Sequence, residues 1–267
     1  MLPGAYLALK KNGTSYYRSS ITFQNKHISL GSFESEQDAH QAYAEAAQLL
    51  TDFSTTIDDI FSLPTILNFS KAISLLNFRD NHIYFKNPIY LRNNYFVYYL
   101  SPSEELKFDI DDLFYYSSHK IMRRQGHFFV NDYGMQINIL SRYGIKNYAV
   151  KGRDYYFANE DPQDFRYSNI IIVNRYYGVT KITSHNSCSY KVKIHLNGNY
   201  TVGTYRTEEE AAIAYNKAVD LAKKSGFDKN FQTNYIDGYS PRDYADIYSQ
   251  IKISKKYLNY LKGPAAK

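Results

Sequence analysis

Between Tyr190 and His195, the basic side chains Lys191, Lys193 and His195 alternate with Tyr190, Val192 and Ile194. An extended chain sends successive side chains to opposite faces. This segment therefore predicts a strand with one apolar face and one cationic face. Such a cationic face neutralises phosphates, while neighbouring hydroxyl and amide groups bond to backbone or base edges. Lys181, ten residues before Lys191, adds a further basic side chain. Near the start of the chain, Arg18, Ser20 and Thr22 alternate with Tyr17, Ser19 and Ile21, and the basic Lys10 precedes them. Residues suited to acid–base or metal chemistry are sparser. His119 and His127 lie eight apart across an expected turn, which makes a metal pair conceivable and two unrelated histidines the simpler reading. Asp154, Asp161 and Asp164 cluster in an expected loop, where acids are usually solvated. Cys188 is the only cysteine, so no internal disulfide and no cysteine zinc cluster can form. The chain contains no phosphate-binding loop and no G-x-S-x-G nucleophile elbow.

The elements that would carry these strands occur twice. Aligning Leu30 with Val202 continues without a gap to Leu50 and Ala222. Gly31 then meets Gly203, Phe33 meets Tyr205, Ser35 meets Thr207 and Tyr43 meets Tyr215. Each copy reads as a strand, a turn, a second strand and a helix. Asn197-Gly198 predicts a tight turn in the second copy, and "QNK" a turn one residue longer in the first. Ser35 and Thr207 precede Asp38 and Glu210 by three residues, a helix N-cap pattern. Ala39, Ala42, Tyr43, Ala46 and Leu49 then form an apolar stripe at helical spacing, matched by Ala211, Ala214, Tyr215, Ala218 and Leu221. "AYLALKK" and "YYGVTKI" add an earlier strand to each copy. Each copy is thus expected to be three antiparallel strands with a helix on one face and the other face open.

Charge is segregated within the copies. From Met1 to Phe33 there are four basic residues and no acid, and from Arg175 to Arg206 five and no acid. The whole chain of 267 residues carries a formal charge of +6, which is compatible with an anionic partner but does not identify one. No apolar run approaches the length of a membrane span, no signal-peptide layout is present, and a cytoplasmic, nucleoid-associated location is expected. Between the copies, "SLPTILNFSKAISLLNF" predicts a helix with Pro64 in its first turn. "IYFKNPIYLRNNYFVYYL" predicts aromatic strands. From Tyr115 to Arg153 there are seven basic residues against the single acid Asp132. In the tail, one helix is expected from Pro241 to about Ile253.

The stretch "YYGVTK…YKVKIHLNGNYTVGTYRTEEEAAIAYNKAVDLA" resembles the ethylene-response-factor (Apetala-two) type of DNA-binding domain. The second copy keeps nearly all of that pattern over about sixty residues. The first keeps "LGSF" and "EQDAHQAY" but lacks the Gly-Val start. The resemblance places DNA-contacting positions at Tyr177, Thr180, Lys193, His195, Asn199 and Thr201, and at Ser20, Thr22, His27 and Ser29. Most of the family's groove-reading arginines and tryptophans are missing. "YFANEDPQDFRYSNI", Tyr156–Ile170, resembles the core of His-Asn-His homing endonucleases through Asn159, Pro162, Asp164, Arg166, Asn169 and Ile170. Where that family has its Asp-His pair, this chain has Tyr156-Phe157, and phenylalanine cannot exchange a proton.

These readings predict an α+β chain. Two modules of a three-stranded antiparallel sheet plus a helix, at 1–52 and 173–236, flank a mixed, degenerate His-Asn-His-like core at 53–172. A C-terminal helix and tail cover 237–267. The expected function is double-stranded DNA binding without catalysis or cofactor, in a regulator of transcription derived from a bacterial or phage homing endonuclease. Both modules are expected to bind one duplex, with no membrane contact. The alternatives are an active metal-dependent endonuclease with rearranged ligands and a mobile-element factor whose basic sheets meet an acidic protein.

Overall fold

The structure is a computed structural model that describes residues 1–62, 65–184 and 187–263. Pro64 and His185 lie outside the described residues. The chain forms two compact units: Met1–Tyr143 with Phe157–Ile170, and Gly144–Tyr156 with Ile171–Lys267. The first repeat thus shares its unit with most of the segment 53–172, and the second repeat shares its unit with the tail. The fold is α+β, built from several small antiparallel sheets and helices.

In the first unit, β1 (Ala5–Leu9), β2 (Ser15–Phe23) and β3 (Lys26–Phe33) form a sheet in chain order. Helix α1 (Glu36–Thr51) follows, and Ser35 caps it by accepting a hydrogen bond from the Asp38 N–H at 3.0 Å. Ala39, Ala42 and Ala46 are fully buried, so the helix presents small side chains to the core. Two short helices follow, α2 (Ile57–Ser62) and α3 (Phe69–Asn81). Helix α3 starts at Phe69, later than expected, because Asn68 caps it. The core of α1 and its sheet continues through Leu67 into α3 at Ile73, Leu75, Leu76 and Phe78. The Arg79 guanidinium, 4% exposed, donates to the carbonyls of Leu49, Asp52 and Thr55 and so satisfies the end of α1.

Beyond α3 come β4 (Ile89–Leu91), β5 (Tyr95–Ser101) and β6 (Glu104–Asp109), joined in one sheet. Helix α4 (Leu113–Ser118) leads to a second sheet of β7 (Ile121–Arg124), β8 (His127–Asp132) and β9 (Met135–Asn138). Phe96, Phe108 and Tyr116 pack together in this region. The short strands β10 (Tyr155–Phe157) and β11 (Ile170–Ile172) lie where the chain passes between units. No His-Asn-His-like core is evident among the described residues, which corrects the expectation for 53–172.

The second unit holds the second repeat: β12 (Val179–Ser184), β13 (Ser187–His195), β14 (Asn199–Tyr205) and α5 (Glu208–Lys224), capped by Thr207. The tail forms two helices where one was expected: α6 (Pro241–Gln250) and α7 (Lys255–Lys262). The break has a physical cause. Ile251 turns extended, and the Ser254 hydroxyl starts a new helix by accepting from the Tyr257 N–H. The Lys217 ammonium on α5 donates to the carbonyls of Tyr248, Ser249 and Ile251, closing the end of α6.

The two repeats agree in detail. Each has one extra residue on its third strand: Ser19 pairs with Gly31 but Ser20 with Ser29, and Val192 pairs with Gly203 but Lys193 with Thr201. The bulged residues are Leu30 and Val202, the aligned pair, and both are buried. A Gly-Val start was expected to be missing from the first copy. Gly4-Ala5 takes that place: Gly4 (φ 74°) lies against the Tyr43 ring as Gly178 (φ 70°) lies against the Tyr215 ring. The hairpin turns reverse the expectation. The first copy turns in two residues, Gln24 (φ 45°) and Asn25 (φ 62°), which is the primed geometry. The second uses three residues, Leu196 to Gly198, and neither Asn197 nor Gly198 has positive φ.

Candidate nucleic-acid interface

The bulges and helices fix which side chains the open sheet faces present. In the second module Val192 and Ile194 lie beneath α5, 0% and 1% exposed, so Lys191, Lys193 and His195 point away from it. Cross-strand pairing adds Thr180 and Thr204 beside Lys191, Thr201 beside Lys193, and Asn199 beside His195. The His195 ring Nδ1 and the Asn199 Oδ1 are 3.0 Å apart. Lys181 pairs with Tyr190 and so belongs to the helix-side phase, yet it is exposed. No carboxylate forms an ion pair with Lys181, Lys191 or Lys193 among the described residues.

The first module repeats the layout. Ser19, Ile21, Ile28 and Leu30 face the core, while Arg18, Ser20, Thr22, His27 and Ser29 face away from it. Thr22 and His27 occupy the places of His195 and Asn199 and likewise approach, at 3.5 Å. Arg18 donates to the Tyr16 hydroxyl from both Nε and Nη2, at 2.9 and 2.7 Å, and Lys10 lies 6.0 Å from the same ring. The arginine is thus held in place on the open face by an aromatic neighbour, not by an acid.

Tyr177 is placed differently from its neighbours. Its N–H donates to Asn234 Oδ1 at 2.6 Å, and Asn234 in turn exchanges two hydrogen bonds with Asn216 on α5. The Tyr177 ring packs against Tyr148, with Lys146 Nζ 4.2 Å from its centroid. Lys146 Nζ is buried without a hydrogen-bond partner, and that burial brings its pKa down to about 8 against the attraction of Glu208 and Asp154. The Asn216–Asn234 link and Lys146 were not legible in sequence, because segments far apart in the chain meet there.

The aspartates and histidines with possible metal chemistry have structural partners. Burial alone would raise the pKa of Asp164. Side-chain and backbone hydrogen bonds from Arg166, and one from Asn159, outweigh it and hold the carboxyl below the usual range. Asn169 closes the loop by donating to the Asp164 carbonyl and accepting from the Asn159 N–H. Asp154 is held in the same way by Arg153, the Val150 N–H and Asn174. Phe157 is buried against Phe165. His119 stacks on Tyr115 and lies 3.5 Å from Asp132, whereas His127 pairs with Arg124 at the β7–β8 turn. No group of three or more His, Cys, Asp or Glu side chains suited to a metal occurs among the described residues. The basic excess from Tyr115 to Arg153 is partly neutralised from outside that window: Arg123 pairs with Glu104, Arg142 with Asp112 and Arg153 with Asp154. Cys188 is exposed. No helix among the described residues is long and apolar enough to cross a membrane.

No protein-family model matches the chain, and neither does any curated protein or solved structure.

Proposed function

We propose that this protein binds double-stranded DNA through the open faces of its two sheet–helix modules and does not cleave it. One observation carries the reading. Two copies of one module, alike down to the bulge at Leu30 and Val202, each turn an acid-free face of cationic and hydroxyl side chains away from the core. A solvated sheet needs alternation, but it does not need both copies to exclude carboxylates from the same face. A strand pair of this width enters a major groove, where Lys191, Lys193 and Arg18 meet phosphates and His195, Asn199, Thr22 and Ser29 reach base edges. Two modules in one chain raise the effective concentration of the second once the first is bound. The resemblance of the repeat to the Apetala-two type of domain supports the same partner.

The reading without cleavage is supported by the polar side chains of Asn159–Asn169, which hold one another, and by Phe157, which cannot exchange a proton, at the position where the resemblance alone would put a base. A role in controlling transcription, descent from a homing endonuclease and a cytoplasmic, nucleoid-associated location belong to this proposal as its biological setting. The test pairs two assays on the full chain. Fluorescence anisotropy with a 30-base-pair duplex, at several salt concentrations, should show binding that weakens steeply as salt rises. Supercoiled plasmid incubated with magnesium, manganese or zinc should stay intact. Salt-independent binding, or nicking that Asp164→Ala abolishes, would contradict the reading.

A further inference from the structure

The third strand of each module is a sheet edge, and the two copies treat it in opposite ways. Along β14 the tail closes it. The Ser254 N–H donates to the carbonyl of the bulged Val202, the Ser254 hydroxyl donates to the Thr201 carbonyl, and the Tyr260 ring stacks on Tyr200 at 3.9 Å. Along β3 the corresponding stretch borders an open groove of 580 Å³. Lys26, His27, Ile28 and Ser29 form one wall, and Lys71, Tyr84 and Lys86 form the other. Ser29 is aligned with Thr201, so the groove occupies the place that the tail fills in the second copy.

The lining has an unusual composition. Three lysines, a histidine, a serine and a tyrosine surround the space, and Ile28 is the only apolar member. No carboxylate lines it, and none forms an ion pair with Lys26, Lys71 or Lys86 among the described residues. Two of the lysines meet one ring. Lys71 Nζ donates to the Tyr84 hydroxyl at 2.8 Å, and Lys26 Nζ lies 5.2 Å from the Tyr84 centroid. Like charges lining one groove without a counter-charge repel, and an anion bound there lowers that repulsion. The volume is within the range of small-ligand sites, and three of the seven lining residues are lysines.

We infer that this groove is an anion site that takes phosphate groups, with Lys26, Lys71 and Lys86 as the charge and Ser29, His27 and Tyr84 as the hydrogen-bonding rim. Lysine serves phosphate as a compact, mobile charge with three donors. His27 and Ser29 belong both to the groove and to the open face of the first sheet, so the two surfaces are continuous. The phosphate has two possible sources. One is the backbone of a duplex lying on that face, and the other is a free oligophosphate or nucleotide. The chemistry of the groove does not depend on the DNA reading.

The experiment uses the full chain and two probes, inorganic tripolyphosphate by calorimetry and a 30-base-pair duplex by anisotropy. The variants are Lys86→Glu, at an exposed position that leaves the fold intact, and the triple change Lys26→Gln, Lys71→Gln, Lys86→Gln. Lys224→Gln, on the last turn of α5, is the control. The triple change should weaken at least one probe more than tenfold, Lys86→Glu should weaken the same probe at least threefold, and Lys224→Gln should change neither. Loss confined to the duplex identifies its backbone as the source. Loss confined to tripolyphosphate identifies a free phosphate. Tripolyphosphate binding that needs these lysines, in a chain that binds no duplex, keeps the groove and removes the DNA reading. Duplex binding indifferent to every groove substitution, with no lysine-dependent tripolyphosphate binding, overturns the groove and leaves the DNA reading standing. Failure of both probes in the wild-type chain overturns both.

Discussion

Gly178→Ala should be among the most damaging single-methyl additions to the second unit, and its cost divides into two parts. Gly178 has φ 70°, a left-handed conformation that costs a non-glycine residue about 1–2 kcal/mol. A Cβ there would also overlap the Tyr215 ring and the Lys193 carbonyl oxygen. The ring can swing aside. The carbonyl cannot, because the next strand is fixed at this point by the Lys193 N–H donating to the Gly178 carbonyl at 2.8 Å. Forcing a methyl into packed space costs about 1–3 kcal/mol, so the expected total is about 2–5 kcal/mol. Gly226 is the internal comparison: its φ is 90°, but a Cβ there meets nothing within 4 Å. Gly226→Ala should therefore show only the backbone part, about 1–2 kcal/mol. Urea unfolding followed by far-ultraviolet circular dichroism reads both. With a slope of about 2 kcal/mol per molar urea, Gly178→Ala should move the midpoint down by about 1–2.5 M. Equal costs for the two variants would refute the claim that the glycine is required by the close approach of Tyr215 and Lys193.

Other outcomes follow from the buried charges and the aligned first copy. Gly4→Ala should destabilise the first unit as Gly178→Ala does the second, since a Cβ there would overlap the Tyr43 ring; a cost no larger than for the open Gly13 would contradict the equivalence of the copies. Lys146 binds its proton less tightly in the folded state, with a pKa of about 8 against 10.5 unfolded, so its unfavourable contribution is full below pH 8 and fades as pH rises towards 10.5. Lys146→Met should then be more stable than wild type at pH 7 by about 1–2 kcal/mol after solvent screening, with the gap closing by pH 10; parallel curves would show that Lys146 is not desolvated. Asp164 has the opposite sign: its folded pKa is depressed below 3.8, so its stabilisation is present above that value and is lost as pH falls through the folded one. Asp164→Ala should cost about 2–3 kcal/mol at pH 7 through lost charge-assisted bonds to Arg166, and less at pH 3; a cost unchanged between the two would rule out the carboxylate as its source.

The parts of this fold that follow local rules were legible in the sequence. The alternation around Val192 and Ile194 and the stripe Ala39, Ala42 and Ala46 report burial directly, because one face of each element must meet the other. The N-caps at Ser35 and Thr207 follow from spacing alone. What depends on register was read less well. Asn197-Gly198 looks like a two-residue turn, but the pairing of His195 with Asn199 makes the loop three residues long. The Gly4 start was hidden because it lacks the valine, although its conformation and its tyrosine neighbour match those of Gly178. The start of α3 at Asn68 and the break before Ser254 were set by capping residues that compete with several equivalent hydroxyls and amides nearby. The groove of Lys26, Lys71 and Lys86 had no local signal. Its walls lie more than forty residues apart and meet only because α3 shares the core of the first sheet.

The central claim, that the open sheet faces meet phosphates, is tested most directly by the salt dependence of duplex binding with charges removed from those faces. Each phosphate neutralised contributes about 0.9 to the slope of log affinity against log salt. Lys191→Gln with Lys193→Gln should therefore flatten the slope by about two units, and Arg18→Gln by about one, if each side chain meets one phosphate. His195→Ala should change the preference among duplex sequences and leave the slope alone. A slope unchanged by all three basic substitutions, in a chain that still binds duplex, would contradict the account and place the DNA on another surface.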